Sequence, residues 1–136
     1  MKHTYWEILL ATFLGSVSFA SFLTLFYIKS INSVILIFSG LLFGFAGFFM
    51  FGILGSMVWS LFFRFAFAWC KKPLWRHLFS VSLATIVVAA IVGFFFEGSR
   101  FGLDDLAEFL AFTGGGSAFS FAIFWLRNIR QKNTTA

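Results

Sequence analysis

The side chains able to do chemistry are few, and their spacing does little to bring them together. The commonest metal ligands and proton-transfer groups number only five acids, two histidines and one cysteine in 136 residues. Cys70, His3 and His77 are scattered, with none of the four-ligand spacings that structural zinc sites use. A lone cysteine excludes an intrachain disulfide. Serines abound, but a serine nucleophile needs a base within hydrogen-bond reach. His3 and His77 lie at the ends of long apolar runs, and no two acids fall where they could meet inside one. No glycine-rich phosphate loop follows a strand, because no strand is evident. The expectation is a chain that is not an enzyme and holds no metal or cofactor.

The elements that would position such groups are set by composition. The chain is 60% hydrophobic and 11% charged, with 24 phenylalanines, whereas soluble domains carry about 25% charged residues. A water-soluble protein this small could not bury so much apolar surface, so lipid is the expected solvent. A net charge of +5 raises the question of nucleic acid. The basic residues, however, sit in short segments between apolar runs, the distribution that orients a protein in a membrane.

A helix crosses the hydrocarbon core with about 20 apolar residues. Four spans are expected: 5–28, 33–55, 78–96 and 106–126, in a single domain with a cytoplasmic tail over 127–136. The short links make neighbouring spans antiparallel. The run from Ser33 to Cys70 is too long for one simple crossing. Splitting it at Gly52–Gly55 would give five crossings and scatter the basic loops over both sides. One crossing that continues as an interfacial helix to about residue 70 is therefore expected, with Ser56, Ser60, Arg64 and Lys71 as a thin polar stripe and Pro73 ending it. Lys2 followed by apolar residues and Ser18-Phe19-Ala20 has the look of a signal peptide. The apolar run continues to Ile28, so an uncleaved span is expected instead.

With both termini inside, Lys2, Arg64, Lys71, Lys72, Arg76, Arg127, Arg130 and Lys132 are cytoplasmic, leaving Lys29 and Arg100 outside. That is the asymmetry of a bacterial inner (cytoplasmic) membrane protein. Trp59, Arg64, Trp69, Lys71, Lys72, Trp75 and Arg76 are then expected as interfacial anchors.

In lipid, helices associate through small residues and interhelical hydrogen bonds. Expected seams are Thr12, Ser16, Ala20 and Thr24 in the first span, and Gly40, Gly44 and Gly47 in the second. The third offers Ser82, Thr85, Ala89 and Gly93; the fourth offers Ala107, Ala111, Gly115, Ala118 and Ala122. Such seams predict a compact bundle with little central cavity. Gly114-Gly115-Gly116 is either a hinge or a surface for close packing. The outer loop presents Glu97, Arg100, Phe101, Asp104 and Asp105 as a candidate partner contact. Asp105 and Glu108 also have the form of a cap on the fourth helix.

Ion-coupled carriers keep ionisable residues deep in the bilayer, and the deep portions here have none. Small multidrug transporters and fluoride channels are of similar length, but the former's deep carboxylate and the latter's pore motifs are missing. What remains are roles performed by contact. Bacterial immunity proteins against pore-forming toxins share this size and layout, though no motif. The expected partners are the lipid bilayer and another membrane protein, with homo-oligomers also possible and no nucleic acid. The alternatives are an accessory subunit of a membrane complex and a small homo-oligomeric channel or transporter.

Overall fold

A computed structural model describes residues 2–27, 33–66 and 68–134. Lys29 falls outside the described residues, as do the side chains of Lys2, His3 and Lys132. The described residues form a helical bundle. Helix α1 spans Lys2–Tyr27, α2 Ser33–Gly47, α3 Ile53–Ala66, α4 Pro73–Glu97 and α5 Leu103–Thr134. Among the described residues, four stretches are long and apolar enough to cross a membrane: Tyr5–Phe26, Ile37–Ala66, Pro73–Arg100 and Leu103–Arg130.

α2 and α3 are one continuous helix joined by a π turn at Phe48–Gly52, where Ile53 N–H donates to the Phe48 carbonyl. The helix therefore passes through Gly52 and Gly55 without a break. The extra residue in the π turn resets the phase of the helix. Gly40 and Gly44 are buried before it, Phe48 and Gly52 within it, and Ser56, Trp59 and Ala66 after it.

The helix ends at Ala66, short of residue 70, in a turn where Cys70 N–H donates to the Ala66 carbonyl at 2.9 Å. Pro73 does not end this helix; it opens α4, with Lys72 as N-cap. Proline suits a first turn because its missing N–H would have no intrahelical partner there. The polar stripe is corrected accordingly: Ser56 is fully buried, and Lys71 lies beyond the helix. At the other end of α4, Gly98 adopts φ +57° and its N–H donates to the Phe94 carbonyl, a left-handed exit that glycine makes without a Cβ penalty. α5 starts earlier than expected, at Leu103, and the tail after Leu126 continues as helix to Thr134.

α1 is the hub. α2 packs chiefly on α1, α3 on α4 and α1, and α5 on α1 and α4. The approach of α1 to its neighbours is close enough to require glycine. A Cβ on Gly44 would stand 2.6 Å from Val17 Cα, and one on Gly40 3.1 Å from Ser21 Cα. A Cβ on Gly15 would stand 2.6 Å from the Ser120 backbone nitrogen. Gly47 meets nothing, so the expected second seam is real at Gly40 and Gly44 and ends there.

The third seam holds at Ala89 and Gly93 but not at Ser82, and the fourth is rotated. In α4 the buried face is Ser80, Val81, Ala84, Val88, Ala89, Val92 and Gly93, while Ser82 is exposed. In α5, Ala107, Ala111, Ala118 and Ala122 all face outward, and Ser120 and Phe124 are buried. A single-helix view ranks faces by residue size, but the helix rotates to place Phe124 in the core beside Trp59 and Val81.

These contacts predict opposite signs for similar substitutions. Gly15→Ala and Gly44→Ala should each destabilise the bundle by about 1–3 kcal/mol through overpacking. Gly114→Ala, whose new methyl meets nothing, should stabilise it by about 1 kcal/mol through helix propensity. Denaturant unfolding in mild detergent would read both; equal effects at the three positions would contradict the packing.

Candidate functional site

The bundle has a packed half and an open half. At the packed end, Ile8, Ala11, Trp59, Val81, Ala84 and Phe124 form a continuous core. Towards the other end, α2 follows α1 away from α4, and the helices enclose a cavity of about 120 Å³. All four long helices line it, with Thr12 and Ser16 from α1, Gly47 and Gly52 at the π turn, Thr85 and Val88 from α4, and Gly116 and Ser117 from α5. The expectation of little central cavity is thus overturned. Small residues at the crossing points bring backbones together there, but the same small residues leave space where the helices diverge. An unfilled void of this size would cost on the order of 3 kcal/mol.

The hydroxyls in this wall do not make it polar. Thr12 donates to the Ile8 carbonyl at 2.7 Å, Ser16 to Thr12 at 2.9 Å, Thr113 to Phe109 at 2.6 Å and Ser120 to Gly116 at 2.7 Å. Thr85 Oγ1 lies 2.8 Å from the Val81 carbonyl and 2.6 Å from Ser117 Oγ, a hydrogen bond that joins α4 to α5. The hydroxyl oxygens are thus held against backbone carbonyls or each other, so the cavity presents mainly methyl, methylene and ring surfaces.

Beneath the cavity lies an aromatic cluster that the sequence did not single out. Trp59 is only 2% exposed and packs edge-on to Phe124 at 5.6 Å and to His77 at 6.1 Å. His77 stacks on Phe63 at 3.9 Å with an 18° interplanar angle. Trp59 is therefore no interfacial anchor; its ring is the largest fully buried side chain in the core. His77 is likewise buried, and neither Trp59 Nε1 nor His77 Nδ1 has a hydrogen-bond partner. A tryptophan flanked by serines at helical spacing reads equally well as belt or core from sequence. Only its neighbours decide.

The remaining expected anchors divide. Arg64, Trp69, Lys71, Lys72 and Trp75 are exposed. Arg76 is half-buried instead: its Nε and Nη2 donate to the Cys70 carbonyl at 3.1 and 2.7 Å, and its guanidinium lies 5.6 Å from the Phe63 ring. It secures the turn between α3 and α4.

The 97–105 loop is only partly a display surface. Glu97, Arg100 and Asp104 are exposed. Phe101 folds back so that its ring occupies the space a Cβ on Gly93 would need, which removes it from the expected contact set. Asp105 Oδ2 accepts from Gly102 N–H at 2.8 Å, and Leu106 N–H donates to the Gly102 carbonyl at 3.1 Å. Gly102 is thus the N-cap and Asp105 the residue reaching back to it, the reciprocal half of a capping box; Glu108 is exposed. The glycine triplet lies about 16 Å further along α5 at 1.5 Å per residue, so loop and triplet form no common site.

Helix α5 runs through the triplet unbroken, and its glycines differ. A Cβ on Gly115 would fall on the Phe19 ring, Gly116 faces the cavity, and Gly114 faces open space. With Ala107, Ala111, Ala118 and Ala122, Gly114 completes an outward stripe with steps of three or four residues, one face of a helix. Among the described residues, no three His, Cys, Asp or Glu side chains could together hold a metal ion. No family model, curated protein or solved structure matches the chain.

Trp59→Ala should cost about 3–5 kcal/mol, the range for removing a buried aromatic. His77→Phe keeps a ring on Phe63 and removes a nitrogen that has no partner, so it should leave stability unchanged or raised. Thermal unfolding in detergent separates the two; a large loss for His77→Phe would mean that the nitrogen has a partner in the membrane.

Proposed function

We propose that the chain is a non-enzymatic, multi-pass protein of a bacterial inner membrane that acts by binding a helix of another membrane-inserted polypeptide. The outward small-residue stripe of α5 carries this reading. Helices in lipid gain no hydrophobic drive from one another, and small residues promote contact by letting backbones approach. A face meant only for acyl chains gains nothing from Ala and Gly, and elsewhere this chain turns Phe and Leu outward. Phe38, Phe43, Phe49 and Phe95 are each more than half exposed. The exposed Glu97, Arg100 and Asp104 stand before and at the start of the same helix, where a partner's polar end would meet them.

The order of contacts along α1, with Ser21 facing Gly40 and Val17 facing Gly44, supports antiparallel neighbours. The excess of Lys and Arg at 64–76 and 127–132 supports cytoplasmic termini. A small bundle that grips an inserted hairpin suits an immunity protein, which would hold a pore-forming toxin closed; an accessory subunit would use the same face. The channel alternative is weakened by hydroxyls held against backbone carbonyls or each other.

A photo-crosslinking residue at position 118, introduced in cells, should form an adduct with a different membrane polypeptide. An adduct of twice the chain's own mass would replace this with self-association, and adducts with lipid alone would end the proposal. Gly114→Leu with Ala122→Leu, the crosslinker kept at 118, should lower the heterologous adduct about tenfold without lowering the melting temperature. Where the partner is a toxin, expression should protect cells from depolarisation, and equal sensitivity with and without the chain would remove the immunity role.

A further inference from the structure

The cavity between α2 and the rest of the bundle has a size, a lining and a mouth that together select its occupant. At about 120 Å³ it is far too small for a helix, which is about 10 Å across with its side chains. It is close to an apolar protein cavity of about 150 Å³ that stays dry and takes up a benzene-sized guest. Its hydroxyls donate to backbone carbonyls of their own helices or to each other, which leaves little to reward water or an ion. Its mouth is marked by Phe43 and Phe112, 65% and 62% exposed, both of which also line the cavity. Both residues fall well inside the apolar spans Ile37–Ala66 and Leu103–Arg130. The medium facing the mouth at that depth is hydrocarbon.

We infer that the cavity is a binding site for the terminal carbons of a single phospholipid acyl chain, which enter sideways past Phe43 and Phe112 and end against Trp59. The inference rests on the membrane reading but not on the α5 contact face, which lies on the opposite side of that helix from Gly116. The π turn gives the site its shape: Gly47 and Gly52 flank it and line the cavity without side chains. Filling the space from within should exclude the chain. A Cβ on Gly47 meets no atom within 4 Å, and one on Gly116 meets only Phe19 Cδ1 at 4.0 Å. Both positions therefore accept a larger residue without disturbing the helix crossings.

The test uses the protein's own tryptophan. Of five tryptophans, Trp59 alone is kept by replacing Trp6, Trp69, Trp75 and Trp125 with Phe, and the protein is placed in phosphatidylcholine vesicles with bromine near the end of the acyl chain. Trp59 is shielded from surrounding lipid by the bundle, so a chain in the cavity should quench its emission at least twofold relative to unbrominated vesicles. Gly47→Leu and, separately, Gly116→Leu should each remove at least half of that quenching. A parallel sample with brominated fatty acid in unbrominated vesicles distinguishes a free fatty acid from a bilayer phospholipid, and quenching by the fatty acid alone would overturn the assignment to phospholipid. Absence of quenching in the parent would overturn the site, as would equal quenching in parent and both filled variants. Retention of the chain in the membrane pellet after alkaline extraction tests the membrane reading independently, so the two failures can be told apart.

Discussion

The close approach of α1 to two helices at once is the constraint on which the bundle depends. Where Gly44 faces Val17, and where Gly15 faces Ser120, one helix rests almost backbone against backbone on the next. Without a hydrophobic drive between helices in lipid, attraction comes from the number of atoms brought into van der Waals range, and that number rises steeply as backbones close. Glycine at the crossing point is what permits it. The aromatic contacts arrange themselves around these crossings. Phe13 lies 5.3 Å from Phe45 and 5.1 Å from Phe48, and Phe19 lies 5.8 Å from Phe119.

The rest of the architecture follows from that commitment. A helix held by α1 over its first half and by α4 over its second cannot keep one face in register with both, because 3.6 residues per turn carry the face around the axis. The π turn at Phe48–Gly52 supplies the missing residue of phase; such turns recur at functional sites. The cost is divergence: α2 leaves α4 and a cavity opens between them. The packed end, with Trp59, Val81 and Phe124 interlocked, acts as the rigid base from which the open end spreads.

The buried nitrogens of Trp59 and His77 show where this packing overrides polar satisfaction. Unpartnered buried donors and acceptors are rare because each forgoes roughly 1–3 kcal/mol. Here ring stacking among His77, Phe63 and Phe124 offsets part of that, and Arg76 closes the adjoining turn onto Cys70. The serine and threonine hydroxyls follow the opposite rule. Thr12, Ser16, Thr85, Thr113 and Ser120 each turn back to a carbonyl one turn earlier in their own helix.

The sequence by itself determined the secondary structure and the number of helices long and apolar enough to cross a membrane. These depend on summed properties, namely run length, hydropathy and the absence of charge, and such sums do not need to know what lies beside them. It also exposed the crossing glycines Gly40 and Gly44, because their spacing repeats a helix turn. Tertiary structure alone decided which way each helix faces. The alanines of α5 read as a packing seam yet point outward, Trp59 reads as a belt residue yet fills the core, and Phe101 reads as displayed yet lies on Gly93. In each case the local sequence is compatible with either side of the helix or loop. The choice was made by the shape of a neighbour that is distant in the chain: Phe124 reaching into the core, His77 meeting Trp59, and the bare backbone at Gly93 leaving room for a ring.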